Sequence, residues 1–248
     1  GEFLQKYDFF TLLSTFRRVC DAVAFAHSRG IVHRDIKPHN IMIGDFGEVV
    51  LMDWGLAKRI SEEEPPVAGM ASSDGNAEAT EIGVIKGSPA YMPPEQAHGH
   101  VDQFDQRSDI FLLGATLYHI FTFFPPYLGD DIYDIIKRAQ VCNFVPPNEM
   151  PTGRLRIPDE LCSIIMRCMA ADRDDRYQTV EELIADLDTL LVRCGTRRRI
   201  GPHVKADDRC IGRFCQPHIS VSDGTNAGMQ NPNPNFLVAD LLHRLNDR

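Results

Sequence analysis

The chain has 248 residues, of which 43% are hydrophobic and 25% charged, and a net charge of −9. That is an ordinary globular composition with enough chain for a sizeable core, and the negative balance argues against nucleic acid as the main partner, since phosphate backbones attract basic faces. Seven cysteines, an odd number without framework-like spacing, fit reduced thiols in a cytosolic setting.

In chain order, residues 9 to 29 place Phe16, Val19, Val23 and Ala26 on one helical face, with Gly30 as the terminator. Ile41-Met42-Ile43 and Val49-Val50-Leu51-Met52 flank Gly44-Asp45-Phe46-Gly47, which predicts a short β-hairpin. From residue 61 to 79 the chain turns acidic, then small and polar, so a mobile loop is expected. Helices are expected near Phe104–Phe124, Asp131–Ala139, Pro158–Ala170 and Thr179–Val192. The apolar run Phe111 to Phe124 is interrupted by His119 and falls short of the ~20 residues that a membrane span needs, so it reads as a buried helix. Pro158-Asp159-Glu160 suits a first helical turn, and Thr179-Val180-Glu181-Glu182 reads as a capping box. Beyond Cys194 the arginines 197–199 and Asn231-Pro232-Asn233-Pro234-Asn235 look like linker. Leu237, Leu241 and Leu245, four apart, suggest a short terminal helix. The first residue is Gly, with no signal sequence, so a fragment or processed chain is expected.

The chemistry is concentrated in His33-Arg34-Asp35-Ile36-Lys37-Pro38-His39-Asn40 and, thirteen residues on, Asp53-Trp54-Gly55. This spacing delivers one carboxylate beside a Lys, then an amide and a second carboxylate able to share a divalent ion. Phosphoryl transfer from a nucleotide needs such a set: a base, a cation on the phosphate and hard oxygen ligands for Mg²⁺. Taken singly, each residue has a plainer reading as a turn, cap or solvated surface group. A second constellation, His203, Cys210, Cys215 and His218, has zinc-type ligands, but its spacing is irregular and Pro- and Gly-flanked, so the linker reading is kept.

These motifs resemble the eukaryotic-type serine/threonine protein kinases, in particular their bacterial branch. His33-Arg34-Asp35 with Asn40 matches the catalytic loop, Asp53-Trp54-Gly55 the metal motif, and Gly87-Ser88-Pro89-Ala90-Tyr91-Met92-Pro93-Pro94-Glu95 the end of the activation segment. Asp109 and Arg176 match later landmarks. The resemblance implies a mainly α fold: a protein-kinase-like large lobe over residues 1–193, with a short β-hairpin at the active site. The activation segment would be 53–95, and 194–248 a tail of unassigned role. No Gly-x-Gly-x-x-Gly and no Val-Ala-Ile-Lys-like strand occurs, and Gly1-Glu2-Phe3-Leu4 resembles the end of a hinge, so the small β-rich lobe is expected to be absent.

By resemblance, Asp35 is the catalytic base and Lys37 the phosphate contact, while Asn40 and Asp53 hold Mg²⁺ and Met42 forms the floor under the adenine of ATP. Trp54 stands where Phe is usual and is expected to pack in the core. Arg34 would pair with a phosphate on Thr80, Ser72 or Ser73, and Ser88 would position a Ser/Thr substrate. Glu95, Asp109 and Arg176 would be structural, the first and last as a buried ion pair. The implied function is transfer of the ATP γ-phosphate to Ser/Thr hydroxyls of protein substrates in signalling. The implied setting is cytoplasmic, with self-association for activation-loop phosphorylation, and any membrane anchor of the parent would lie outside this chain. Half a nucleotide pocket would be nearly inactive alone, so a non-catalytic interaction module is the alternative. Small-molecule phosphotransferases usually lack the Arg34 and Glu95 landmarks.

Overall fold

The computed structural model describes residues 9–44, 46–60, 87–100, 103–150, 157–199 and 236–237. The architecture is mostly helical, with few and short strands. Helix α1 (Phe9–Ser28) buries Leu12, Leu13, Phe16, Val19, Cys20, Val23 and Ala26, a stripe at spacings of three and four that the 3.6-residue period puts on one face. It ends because Gly30 turns left-handed at φ +70°, its amide donating to His27 O at 2.9 Å.

Strand β1 (Ile31–Val32) follows and pairs antiparallel with β4 (Lys58–Arg59). Between them, β2 (Ile41–Ile43) and β3 (Val49–Leu51) form the predicted hairpin, with Ile41 opposite Leu51 and Ile43 opposite Val49. A four-residue helix α2 (Pro94–Ala97) precedes the central helix α3 (Gln106–Thr122). Every position of α3 from Ser108 to Tyr118 is buried, which is what an apolar run without a polar face requires. It begins two residues after the expected Phe104 because Asp105 caps it, accepting from the Arg107 amide at 2.8 Å, while Ser108 Oγ reaches back to the Asp105 amide.

Helix α4 (Ile132–Gln140) is capped by Asp131, which accepts from the Asp134 amide at 2.8 Å. Helix α5 (Asp159–Cys168) crosses α3 at Gly114, where an added Cβ would lie 2.4 Å from Cys168 Cβ. The glycine is what lets the two backbones approach. The last helix, α6 (Val180–Arg199), lies against α1 and α5. Its start is half the expected capping box: Thr179 Oγ1 accepts from the Glu182 amide at 3.3 Å, but Glu182 Oε2 accepts from Gln178 N at 3.1 Å, one residue upstream of the expected partner.

Two expectations for the tail differ from the structure. The arginines 197–199 were expected in a linker, but α6 continues through Arg199; Arg is a good helix former, so an established helix propagates through it. Of the terminal helix expected on Leu237, Leu241 and Leu245, only Leu237 is described; it and Phe236 form strand β5, antiparallel to β2, while Leu241 and Leu245 lie outside the described residues. The backbone groups on the outer edge of β2 are a template for such pairing. No described helix is long and apolar enough to cross a membrane. The hinge-like residues 1–4, the acidic loop 61–79 and the His203–His218 cluster lie outside the described residues.

Candidate active site

The His33–Asn40 loop hangs from α3. Asp109, in the first turn of that helix and 0% exposed, accepts from His33 N at 2.7 Å and Arg34 N at 2.9 Å, and meets His27 Nε2 at 2.9 Å. A buried carboxylate is tolerable only when its oxygens are satisfied in this way. The anchoring also holds Arg34 at φ +73°, a left-handed conformation that costs a non-glycine residue on the order of 1 kcal/mol or more. Arg34 is buried, with its guanidinium 5.4 Å from the centre of the Phe104 ring, and its carbonyl accepts from Gln96 Nε2 at 3.3 Å.

Asp35 follows, 6% exposed, with its amide donating to His33 Nδ1 at 3.3 Å. His33 Nε2 lies 3.1 Å from Met52 O, so the ring is best assigned as the Nε2–H tautomer: Nδ1 accepts and Nε2 donates. Lys37 Nζ bridges Asp35 Oδ2 at 2.7 Å and Ser88 Oγ at 2.6 Å. Asn40, at the end of the 3-10 turn Pro38–Asn40, donates from Nδ2 to Asp35 O at 2.8 Å and to Asp35 Oδ2 at 3.2 Å. The loop thus brings Asp35, Lys37, Asn40 and Ser88 together.

Asp53 enters from the other side. Met52 N donates to Asn40 O at 2.7 Å, which extends the hairpin ladder and leaves Asn40 and Asp53 at the same end of it. Asp53 is exposed and left-handed (φ +61°), with Oδ1 accepting from Gly55 N at 3.4 Å. As a metal site, the pair fits Mg²⁺ by donor chemistry. Asn40 commits its amide nitrogen to Asp35, which leaves the amide oxygen, and Asp53 contributes an exposed carboxylate; Mg²⁺ takes one or two such protein oxygens. Among the described residues, no group of three or more His, Cys, Asp and Glu could hold a metal. Met42, on β2, is partly buried.

Trp54 departs from expectation. It is 40% exposed rather than packed in the core. Its ring tilts against His33 with centroids 4.6 Å apart, and its indole N–H donates to Leu51 O at 3.0 Å. An indole keeps a polar handle that a fully apolar site would strand, so it seats at an edge.

Below the loop lies Glu95 with Arg176, 6% and 1% exposed. The guanidinium grips both carboxylate oxygens, at 2.8 and 2.9 Å, and donates further to the carbonyls of Ala170, Ala171 and Arg107. Ser108 Oγ adds a third bond to Glu95 at 2.7 Å. Burial alone would raise the Glu95 carboxyl; the bonds and charge of Arg176, with Ser108, outweigh it and hold the group below its ordinary range. Thr80, Ser72 and Ser73 lie outside the described residues.

Sequence reasoning missed two pairs. One is His27 with Asp109. The other is Tyr91, whose hydroxyl lies 2.7 Å from His119 Nδ1. Burial, with a smaller contribution from His39, lowers His119 to about 4, so it is a neutral acceptor for the Tyr91 O–H. Its interruption of the apolar run was the visible signal, but not what it bonds.

Residues 6–186 match the protein kinase domain family. The chain is 39% identical over 183 residues to the serine/threonine-protein kinase PknD of Protochlamydia amoebophila, covering 73% of this chain and 18% of that protein. It is 39% identical over 185 residues to PknD of Chlamydia felis (72% and 19%). With PknB of Mycobacterium leprae it shares 34% over 168 residues (68% and 24%). The chain therefore spans between 18% and 24% of the length of these relatives.

Proposed function

Because the chain belongs to the protein kinase domain family, we propose that residues 1–193 are the larger, helical lobe of a bacterial-type protein serine/threonine kinase. The observation that carries this reading is the buried Asp35 carboxylate held by Lys37 and Asn40, with Ser88 on the same ammonium. In this reading the substrate Ser or Thr hydroxyl replaces part of that network. Asp35 accepts or orients the hydroxyl proton, and a carboxylate already gripped by its neighbours needs little rearrangement to do so. Lys37 stays beside Asp35 and turns its charge to the transferring phosphate, while Ser88 borders the acceptor. Met42 lies under the adenine of ATP.

Asn40 Oδ1 and Asp53 would hold Mg²⁺, which would supply positive charge to offset that of the transferring phosphate. Glu95, Asp109 and Arg176 fix the loop from below. Arg34 receives the phosphate of a modified Thr80, Ser72 or Ser73; phosphosite mapping of active protein that finds none of the three modified refutes that assignment. The Gly-rich loop and strand lysine that complete a kinase nucleotide site are not among residues 1–248. Activity is accordingly proposed for the protein that carries them, with protein substrates and self-association as its partners.

The test is ATP- and Mg²⁺-dependent labelling of a generic protein substrate by the full-length protein and by its Asp35→Asn variant. Loss of labelling in the variant, with Mg²⁺-dependent labelling in the parent, supports the reading. Full labelling by the variant removes Asp35 from its role, and no labelling by the folded parent favours the non-catalytic interaction module.

A further inference from the structure

The hairpin that carries Met42 has a second edge. Asn40 O accepts from Met52 N at 2.7 Å and Gly44 N donates to Glu48 O at 2.9 Å, so the even-numbered residues of β2 turn their backbone groups toward β3. Antiparallel alternation then points the N–H and C=O of Ile43 the other way. Backbone groups left on a strand edge are a template for another extended segment. Phe236–Leu237 sit there antiparallel, Phe236 opposite Ile43 and Leu237 opposite Met42, which makes β2 the middle strand of three. The pairing requires Ile43 and Phe236 to exchange their hydrogen bonds, with Leu237 N–H facing away. The same segment approaches the Pro38–Asn40 turn.

We propose that the outer edge of β2 is a strand-docking site for an extended segment, that Phe236–Leu237 of the same chain occupy it, and that their occupancy obstructs nucleotide at Met42 and Asn40. Main-chain bonds supply the affinity in this mode of binding, and the register supplies the alignment. The obstruction, unlike the docking, rests on the nucleotide site proposed above.

Amide hydrogen exchange separates the parts. Phe236→Pro deletes the donor that enters β2, whereas Leu237→Pro deletes an N–H that faces away and serves as the matched control. In the full-length protein, Ile43 N–H is expected to be protected and to exchange about tenfold faster in Phe236→Pro, a factor within what one hydrogen bond contributes. It should change little in Leu237→Pro, and Met42 N–H, which faces β3, should hold in all three. Equal exchange of Ile43 in all three chains overturns the docking. Protection that grows with protein concentration overturns the intramolecular occupant in favour of a second copy. A non-hydrolysable ATP analogue with Mg²⁺ should bind several-fold tighter to Phe236→Pro, and unchanged affinity overturns the obstruction. If the analogue binds none of the chains while the Ile43 shift persists, the nucleotide-site reading falls and takes the obstruction with it, and the docking stands.

Discussion

Asp35 and Glu95 are carboxylates of equal burial, each 6% exposed, and their surroundings differ in kind. Glu95 is closed off: Arg176 takes both oxygens, Ser108 a further position, and the guanidinium spends its other donors on three carbonyls. Asp35 is held by a lysine on a flexible stem that it shares with Ser88, and by the longer of two bonds from Asn40. A guanidinium fork in a sealed pocket fixes a structure, whereas an ammonium at its edge can exchange one oxygen for another. Burial alone therefore does not distinguish the two carboxylates; the exchangeability of their partners does, and it is what the proposed role of Asp35 requires.

Substitutions can break that contrast. Asp35→Asn keeps the shape and removes the charge, so under the proposed kinase function phosphotransfer by the full-length protein should fall about 10²–10⁴-fold with the melting temperature nearly unchanged. A melting temperature that collapses along with the activity would make Asp35 an anchor too. Arg176→Ala strands Glu95, and chemical denaturation should register a loss of about 3–5 kcal/mol. Gly114→Ala forces α3 away from Cys168, and the same measurement should show about 1–3 kcal/mol from overpacking.

Acid sharpens the contrast by a smaller amount. His119 is lowered to about 4 from an ordinary value of 6.5, so between these limits the unfolded chain takes up a proton that the folded one refuses. Its contribution is present above pH 6.5 and is lost as pH falls toward 4. Glu95 is also lowered, so its contribution is present above its ordinary value of 4.5, fades as pH falls below that value, and is gone once pH has passed its folded one. Thermal melts should decline from pH 6.5 downward, and His119→Gln, which still accepts from Tyr91, should flatten the upper part of that decline. The smallest effect is expected for Trp54→Phe, which loses the bond to Leu51 O, a change of about 1 kcal/mol by denaturation.

Much was legible in the sequence because it is local. The α1 stripe, the buried run of α3 and the Ile41–Leu51 hairpin follow from periods of 3.6 and 2, and the motif residues from their order along the chain. The seat of Trp54, the Gln178 partner of Glu182 and the strand at Phe236–Leu237 were not legible. In each, a group meets a partner or an edge that local propensity does not encode.

What the sequence by itself determined was the inventory: a carboxylate, a lysine, an amide and a second carboxylate at spacings that a helix end and a hairpin must present together. Only the tertiary structure decided that Asp109 reaches the loop from 76 residues away, that Arg176 seals Glu95 across 81, and that Asp35 is left with partners it can exchange. Spacing dictates which groups share a turn; the low dielectric of a packed interior, where each charge must find a partner, dictates which of them are locked and which remain available.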